Sequence, residues 1–567
     1  MNVAPEALLA SAQTWLDQDP DSDTRAELRR MMDAAQAGDD GAVAALAERF
    51  DGRLTFGTAG LRAELGAGPR RMNRVVVTQA AAGIAHYLRA SGRLERVVIG
   101  YDGRVNSDVF ARDSAEIFAG AGIDVTLLPE PLPTPVLAFA VRHLGAGAGV
   151  MVTASHNPPR DNGYKVYLGE SDDGSQIVPP VDGAIAAAID EVARTDIRRL
   201  PRSADYRVAD DAVLAAYVTA TAATVPTPSL TIDAQPRVVY TAMHGVGWGT
   251  LRRVFAAAGF AEPTTVSAQI EPDGSFPTVP FPNPEEPGAM DLVLGAAAMH
   301  RADIAIANDP DADRLSVAVP GRDGRWRVLS GNEVGWLLGW RAAERAASEG
   351  LGSVLADADV APTLAASIVS APALRTVAAH YGLRYRDTLT GFKWVSRVPG
   401  LVYGYEEALG YLVDPTVVRD KDGISAALAV VALATDLRAS GSTMLDRLDA
   451  FAETFGAFAS EQVAVRVDDI QRIQEAMRSL RASPPSSVAD RAVEQVTDYL
   501  HGTADLPASD IVRWDLSGEA RIIVRPSGTE PKLKVYIDAR ASDLTTARSV
   551  VESLAAGVRT LLPLDPR

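Results

Sequence analysis

Cysteine is absent from this chain of 567 residues. Disulfides, thiolate catalysis and cysteine-ligated zinc are thereby excluded. Long apolar runs are missing too: the longest, Ile424 to Thr435, falls well short of the ~20 residues that cross a bilayer. The opening MNVAPEALLASAQTWLDQDPDSD carries neither the basic region nor the apolar core of a signal peptide. These absences lead us to expect a cytoplasmic protein with no membrane partner. Positive charge is in deficit, with a formal net charge of -18, which argues against nucleic acid as a partner. A small anionic substrate is not excluded. Surface charges are screened over about 8 Å at physiological salt. A cation about 4 Å from a phosphate, at an effective dielectric near 20, contributes about 4 kcal/mol before desolvation. Any anion site must therefore appear as a local basic cluster.

What is present fits a folded enzyme. Hydrophobic residues make up 47% and charged residues 23%, so disorder is not expected. The length calls for roughly three or four domains. Residues 1–50 carry apolar positions at helical spacing. From residue 75 onward, strand-like runs such as RVVIGYDGR, IDVTLLP and GVMVTAS alternate with helical stretches. That alternation predicts βαβ units around a mainly parallel sheet. RADIAIANDPDADRLSVAVPG reads as two strands around a tight acidic loop. The final section reads as α+β, with EARIIVRPSGTEPKLKVYIDAR forming two strands around one loop before a closing helix over 545–562. We place four domains at 1–208, 209–325, 326–455 and 456–567, the first three α/β and the last a smaller α+β unit. GAGAG at 145–149 and HGVGWG at 244–249 lack the remainder of a dinucleotide fingerprint and read as turns.

Two loops carry chemistry. In VMVTASHNPPRDNGYKVY a buried strand breaks into a polar loop at Ser155, read here as exposed at the strand tip, where open α/β sheets meet ligands. A lone serine there more often caps the next helix. A hydrolase nucleophile with His156 as base is disfavoured, because neighbours on an extended backbone face opposite ways and no G-x-S-x-G elbow is present. In NDPDADR, Asp309, Asp311 and Asp313 alternate, so three carboxylates can converge on one hard cation; a solvated acidic turn is the alternative. An EF-hand does not fit, since Arg314 and Pro320 stand where glycine and glutamate are required. Three aspartates with open positions suit magnesium, which retains water or phosphate ligands.

With TASHNP, DPDADR, YGYEEALGY and RPSGTEPKLKVY in this order, the chain resembles the α-D-phosphohexomutases. The resemblance runs from the N-terminal part to Tyr536. It implies a four-domain architecture around a central active-site cleft, with Ser155 phosphorylated in the resting enzyme. It implies one Mg2+ per chain held by Ser155, Asp309, Asp311 and Asp313, and a sugar 1,6-bisphosphate as intermediate and activator. Lys165 matches the family's general acid/base, Arg62 an arginine on the reacting phosphate, and His156 a support for the loop. Arg314, Lys393, Glu406 and Lys421 match substrate contacts. Arg525, Ser527, Gly528 and Thr529 match the loop for the non-reacting phosphate, which a guanidinium fork, hydroxyls and backbone N–H groups suit.

The implied substrates are sugar phosphates, foremost glucose 1-phosphate and glucose 6-phosphate. Where many relatives have E-x-S, Ala408 follows Glu406 and Glu407. FGTAGLR, TLTGFKW and EEALGY resemble a branch of phosphoglucomutases with phosphopentomutase activity. Mannose and pentose phosphates are therefore alternatives, and a catalytically silent sugar-phosphate sensor is a further one.

Overall fold

The alternating pattern appears in the computed structural model, which describes residues 5–57, 60–349, 361–467, 470–527 and 532–562. Two units form: Met1–Val328 with Gly410–Asp436, and Leu329–Leu409 with Leu437–Arg567. In the first, the N-terminal stretch folds into helices Pro5–Gln18, Ser22–Gln36 and Asp40–Phe50. Asp21 and Asp39 cap the second and third by accepting otherwise orphaned backbone N–H groups.

The first sheet contains β1 (Leu61–Glu64), β2 (Arg96–Tyr101), β3 (Asp124–Leu127), β4 (Ala148–Val152), β5 (Asp161–Leu168), β6 (Ser175–Gln176) and β7 (Arg207–Val208). Its order is β1-β5-β4-β2-β3-β7, with β6 on β5. Every residue of β4 is buried, as its unbroken apolar run predicts. The second sheet contains β8 (Val238–Thr241), β9 (Thr264–Thr265), β10 (Ile304–Asn308), β11 (Leu315–Pro320) and β12 (Trp326–Val328), ordered β12-β11-β10-β8-β9.

Both sheets are mixed, where mainly parallel sheets were expected. β4 runs parallel to β2 but antiparallel to β5, and β10 runs parallel to β8 but antiparallel to β11. The reason is connectivity. An antiparallel return needs only a short loop, whereas a parallel crossover needs a dozen or more residues. The serine loop is the β4–β5 return and the acidic loop is the β10–β11 return. Each leaves the carboxyl end of a parallel strand, the edge at which such sheets receive ligands.

In the second unit, β13 (Thr363–Ser367) pairs in parallel with β14 (Arg384–Thr388) and β15 (Leu401–Glu406). Helix Gly331–Ser348 precedes them, opened by a Ser330–Glu333 capping box. The short strand β16 (Gly410–Leu412) belongs to the first unit, where Gly410 bridges to Arg314. The last sheet is antiparallel and contains β17 (Ala457–Arg466), β18 (Ser487–Val488), β19 (Arg491–Asp498), β20 (Val512–Leu516), β21 (Ala520–Pro526) and β22 (Lys532–Ala541). Its order is β17-β22-β21-β20-β19-β18. Trp514, Ile522, Val535 and Leu554 share one buried cluster that joins this sheet to helix Leu544–Leu561. Each fully buried aliphatic side chain there stabilises by about 1.5–3 kcal/mol.

Among the described residues no single helix is long and apolar enough to cross a membrane. The apolar run at 424–435 is the buried body of helix Gly423–Ala439. Its first residue presses on the acidic loop. A Cβ at Gly423 would lie 2.3 Å from the Arg314 carbonyl oxygen and 2.8 Å from that of Ala312. Gly423→Ala should therefore lower stability by about 1–3 kcal/mol, the usual cost of overpacking. Thermal unfolding followed by calorimetry checks this, and an unchanged midpoint would contradict the close packing.

Candidate active site

Ser155 lies on the β4–β5 return with φ of 52°, a left-handed conformation that costs a non-glycine residue about 1–2 kcal/mol. Arg104 holds it there. Its guanidinium donates to the carbonyl oxygens of Ser155 at 2.7 Å, Asn157 at 2.6 Å, Pro158 at 2.9 Å and Asp161 at 3.1 Å. Arg104 is itself buried, 3.5 Å from the Asp102 carboxylate and stacked over the Phe276 ring. The Ser155 backbone N–H donates to Thr153 Oγ1 at 2.8 Å.

This turn corrects two expectations. Ser155 is only 2% exposed rather than open at a strand tip, because the left-handed kink folds its hydroxyl inward to donate to Asp309 Oδ2 at 3.1 Å. His156 was expected to face away from Ser155, yet its Nδ1 lies 3.2 Å from the Ser155 Oγ. The opposite-face rule holds for extended chain, and here the chain is not extended. Burial, then the charges of Arg314 and Arg62, push the His156 imidazole well below its usual pKa, so it is neutral.

Asp309, Asp311 and Asp313 are each 0% exposed, and one oxygen from each lies within 4.8 Å of the others. Left-handed Ala312, with φ of 53°, helps turn the loop so that the three converge. Lys165 Nζ donates to Asp311 Oδ2 at 2.6 Å and Asp313 Oδ2 at 2.7 Å. Lys421 Nζ lies 2.9 Å from Asp313 Oδ2. Arg314 gives its backbone N–H to Asp309 Oδ1 at 2.9 Å, with its side chain between Asp309 and Glu285. Arg62, on β1, donates to Asn157 Oδ1 at 3.0 Å and so borders the serine loop.

The charges are unevenly balanced. Burial and then repulsion from Asp313 and Asp311 raise the Asp309 carboxyl well above its usual range. Burial alone would raise Asp313 too, but Lys165, Lys421 and Arg314 hold it far below that range. Burial opposes the Lys165 ammonium, yet Asp311 and Asp313 outweigh it and raise its pKa. Among the described residues, Asp311 Oδ1 and Asp313 Oδ1 have no hydrogen-bond partner. Buried carboxylate oxygens without partners, next to a carboxyl destabilised by its neighbours, are what a hard divalent cation would satisfy. The residues present fit such an ion.

The other expected residues lie in the second unit. Glu406 ends β15 and accepts the Gly391 backbone N–H at 2.6 Å. Gly391 has φ of 113° and so turns the TGFKW loop into the short helix Phe392–Val395, where the Lys393 ammonium lies over the Trp394 ring. Arg525 lies on β21 opposite Lys534 of β22, and the Ser527 N–H donates to the Lys532 carbonyl at 2.8 Å. Gly528 and Thr529 lie outside the described residues.

Several supporting residues escaped the sequence reading. Arg104 had one available signal, the YDGR that ends β2. Thr134 had none: it reaches Asp311 from the start of helix Thr134–His143, donating its hydroxyl to Oδ2 at 2.6 Å and its N–H to the carbonyl at 2.9 Å. Nor did the two tyrosines that brace Lys421. Tyr167 bonds Asp420 at 2.8 Å, and Tyr217 bonds Asp422 at 2.9 Å.

If the three carboxylates hold magnesium, the ion stabilises the fold by mass action, by about 2.7 kcal/mol at a hundredfold excess over its dissociation constant. Added magnesium should raise the melting temperature of the wild-type protein and raise that of Asp311→Asn far less. Equal shifts in both would place the ion elsewhere.

Four family models match in order: phosphoglucomutase/phosphomannomutase alpha/beta/alpha domain I over 53–196, domain II over 215–322, domain III over 330–454 and the C-terminal domain over 463–556. A protein named "Probable phosphomannomutase" from Haemophilus influenzae is 50% identical, over 87% of this chain and 98% of its own. The Phosphoribomutase of Saccharomyces cerevisiae is 34% identical, over 96% of this chain and 94% of its own. A solved phosphoglucomutase/phosphomannomutase family protein from Burkholderia thailandensis shares the fold, with a TM-score of 0.67 at 20% identity, covering 89% of this chain and 96% of that one. With all four domain models present and near-full-length relatives of one chemistry, the chain belongs to the phosphoglucomutase/phosphomannomutase family and is a sugar-phosphate mutase.

Proposed function

We propose that this mutase interconverts glucose 1-phosphate and glucose 6-phosphate through phospho-Ser155 and a glucose 1,6-bisphosphate. The observation that carries the reading is the Ser155 hydroxyl 3.1 Å from Asp309, inside a loop of three buried carboxylates bordered by lysine and arginine. In the first transfer the bond from phosphorus to Ser155 Oγ breaks as a bond to the free sugar hydroxyl forms. The sugar hydroxyl loses a proton and Ser155 Oγ gains one. In the second transfer the other phosphate of the bisphosphate returns to Oγ, and the protons move in the reverse sense. Splitting the move in two is covalent catalysis.

In this reading each residue of the site has a role. Lys165, held as an ammonium by Asp311 and Asp313, supplies the proton to Ser155 Oγ and is reprotonated from the sugar hydroxyl. Arg62 and Arg314 stabilise the transferring phosphoryl oxygens. Neutral His156 supports the serine hydroxyl. One magnesium ion on Asp309, Asp311, Asp313 and the seryl phosphate would neutralise charge on that group. Arg525 and Ser527, with Gly528 and Thr529, bind the non-reacting phosphate, while Glu406 accepts hydrogen bonds from sugar hydroxyls, Lys393 donates to the sugar or a phosphate and Lys421 contributes charge beside Asp313.

A second reading has its own support. Ala408 replaces the hydroxyl of E-x-S, and a 34% identical relative is named a phosphoribomutase, which favours pentose phosphates. The 50% identical relative, named for mannose, keeps that sugar on the panel. Turnover of glucose, mannose, ribose and deoxyribose 1-phosphates, with a bisphosphate activator, separates these readings. Glucose should give the highest kcat/KM, and a preference for ribose would replace the first reading with the second. Ser155→Ala should lose nearly all turnover while still binding sugar phosphate, and intact mass should show one phosphoryl group on the wild type only. Wild-type activity in that variant would end the phosphoserine mechanism.

A further inference from the structure

The loop over 281–290, FPNPEEPGAM, borders the acidic and serine loops without a part in the transfer itself. Its far end is anchored by Ala289 and Met290, buried with Val239 and Ala305 of the second sheet. Pro282 and Pro284 restrict the backbone on either side of Asn283. Asn283, itself buried, closes the turn by accepting the Glu285 N–H on Oδ1 at 3.1 Å and the Glu286 N–H on its carbonyl at 3.0 Å. The Phe281 ring lies 6.5 Å from that of His156. Glu285 is therefore presented from a stiff turn that also packs on the serine loop, all within the first unit.

Arg314 stands between this carboxylate and Asp309. Its backbone is fixed: the N–H donates to Asp309 Oδ1 at 2.9 Å, the carbonyl accepts from Asn308 Nδ2 at 2.6 Å, and a bridge joins it to Gly410. Its guanidinium has a choice. Nη1 lies 3.4 Å from Glu285 Oε2, while Nε lies 3.9 Å from Asp309 Oδ2, beyond hydrogen-bond distance. Among the described residues, that buried Nε has no hydrogen-bond partner. Attraction is stronger away from water, so a guanidinium should favour the buried acid. Glu285 is 40% exposed and Asp309 is fully buried, yet the guanidinium leans toward Glu285. Burial opposes the Arg314 charge, and the carboxylates that outweigh burial and raise its pKa are led by Glu285, ahead of Asp309.

We propose that Glu285 is a positioning residue that draws the Arg314 guanidinium off Asp309 and so leaves that carboxylate to a divalent cation. The inference rests on the reading that Asp309, Asp311 and Asp313 hold magnesium. A carboxylate oxygen engaged by a guanidinium is a poorer metal ligand, because the two cations compete for it and repel each other. Closing the gap from 3.9 Å to about 3.2 Å would complete the bond from Nε to Asp309. The same shift would crowd the Ser155 hydroxyl, which donates to that oxygen.

The test is titration calorimetry of magnesium chloride into the full-length protein freed of divalent cations, with phosphate on Ser155 matched by intact mass. Glu285→Gln, which removes the charge and keeps the shape, should bind magnesium about tenfold more weakly, the size of one hydrogen bond to a charged group. Glu285→Asp should recover part of the loss. Removing any nearby negative charge also weakens a cation site through space, so a double-mutant cycle with Arg314→Met separates the two effects. In that background Glu285→Gln should weaken binding by at most about twofold, the remainder left by screened attraction. An equal loss with and without Arg314, or wild-type affinity in Glu285→Gln, would overturn the proposal and leave the metal assignment standing. A wild type that takes up no magnesium, or an Asp311→Asn variant that takes it up equally well, defeats the carboxylate assignment and the proposal with it.

Discussion

Three carboxylates with no exposure to water must be compensated by something other than water, and the first unit is organised around that requirement. Asp309, Asp311 and Asp313 repel one another at a distance where burial magnifies the repulsion. Lys165 arrives from β5, Lys421 from the segment before helix Gly423–Ala439, and Thr134 from the helix after β3. Asp313 receives two ammonium groups and is strongly acidic, whereas Asp309, with Arg314 as its nearest cation, is left under-compensated. Ser155 bonds this under-compensated carboxylate. Ser155 thus stands where the loop most needs added positive charge.

Holding it there requires local strain, and the strain is countered by Arg104. Four carbonyl oxygens of the 155–161 loop point at one buried guanidinium, which makes the left-handed turn at Ser155 a fixed shape. The two loops also share a construction principle. Each is the antiparallel return from a parallel strand, so each is short and its end points are set by the sheet. Ser155 and Asp309 meet because two tight hairpins come tip to tip.

The sequence exposed these loops because their chemistry is local. TASHNP and NDPDADR are contiguous, their flanking strands are unbroken apolar runs, and alternating aspartates announce convergence without any knowledge of the fold. The residues that escaped act from a distance in sequence. Thr134 meets Asp311 and Tyr217 meets Asp422 across separations that no periodicity encodes. The error over His156 has the same origin, because a rule for extended chain was applied at a residue whose backbone turns left-handed. Parallel strands were overestimated because a hairpin return and a βα crossover both follow an apolar strand, and loop length alone tells them apart.

Lys421 carries one more implication, for the order in which the polypeptide is made. The ribosome delivers Asp313 long before Lys421, and the whole of Leu329–Leu409, which belongs to the other unit, is synthesised in between. During that interval the acidic hairpin has Lys165 but not its second ammonium. Any folding of the N-terminal portion before that point proceeds without the Lys421 charge, so the full ion network of Asp313 requires a segment encoded far downstream.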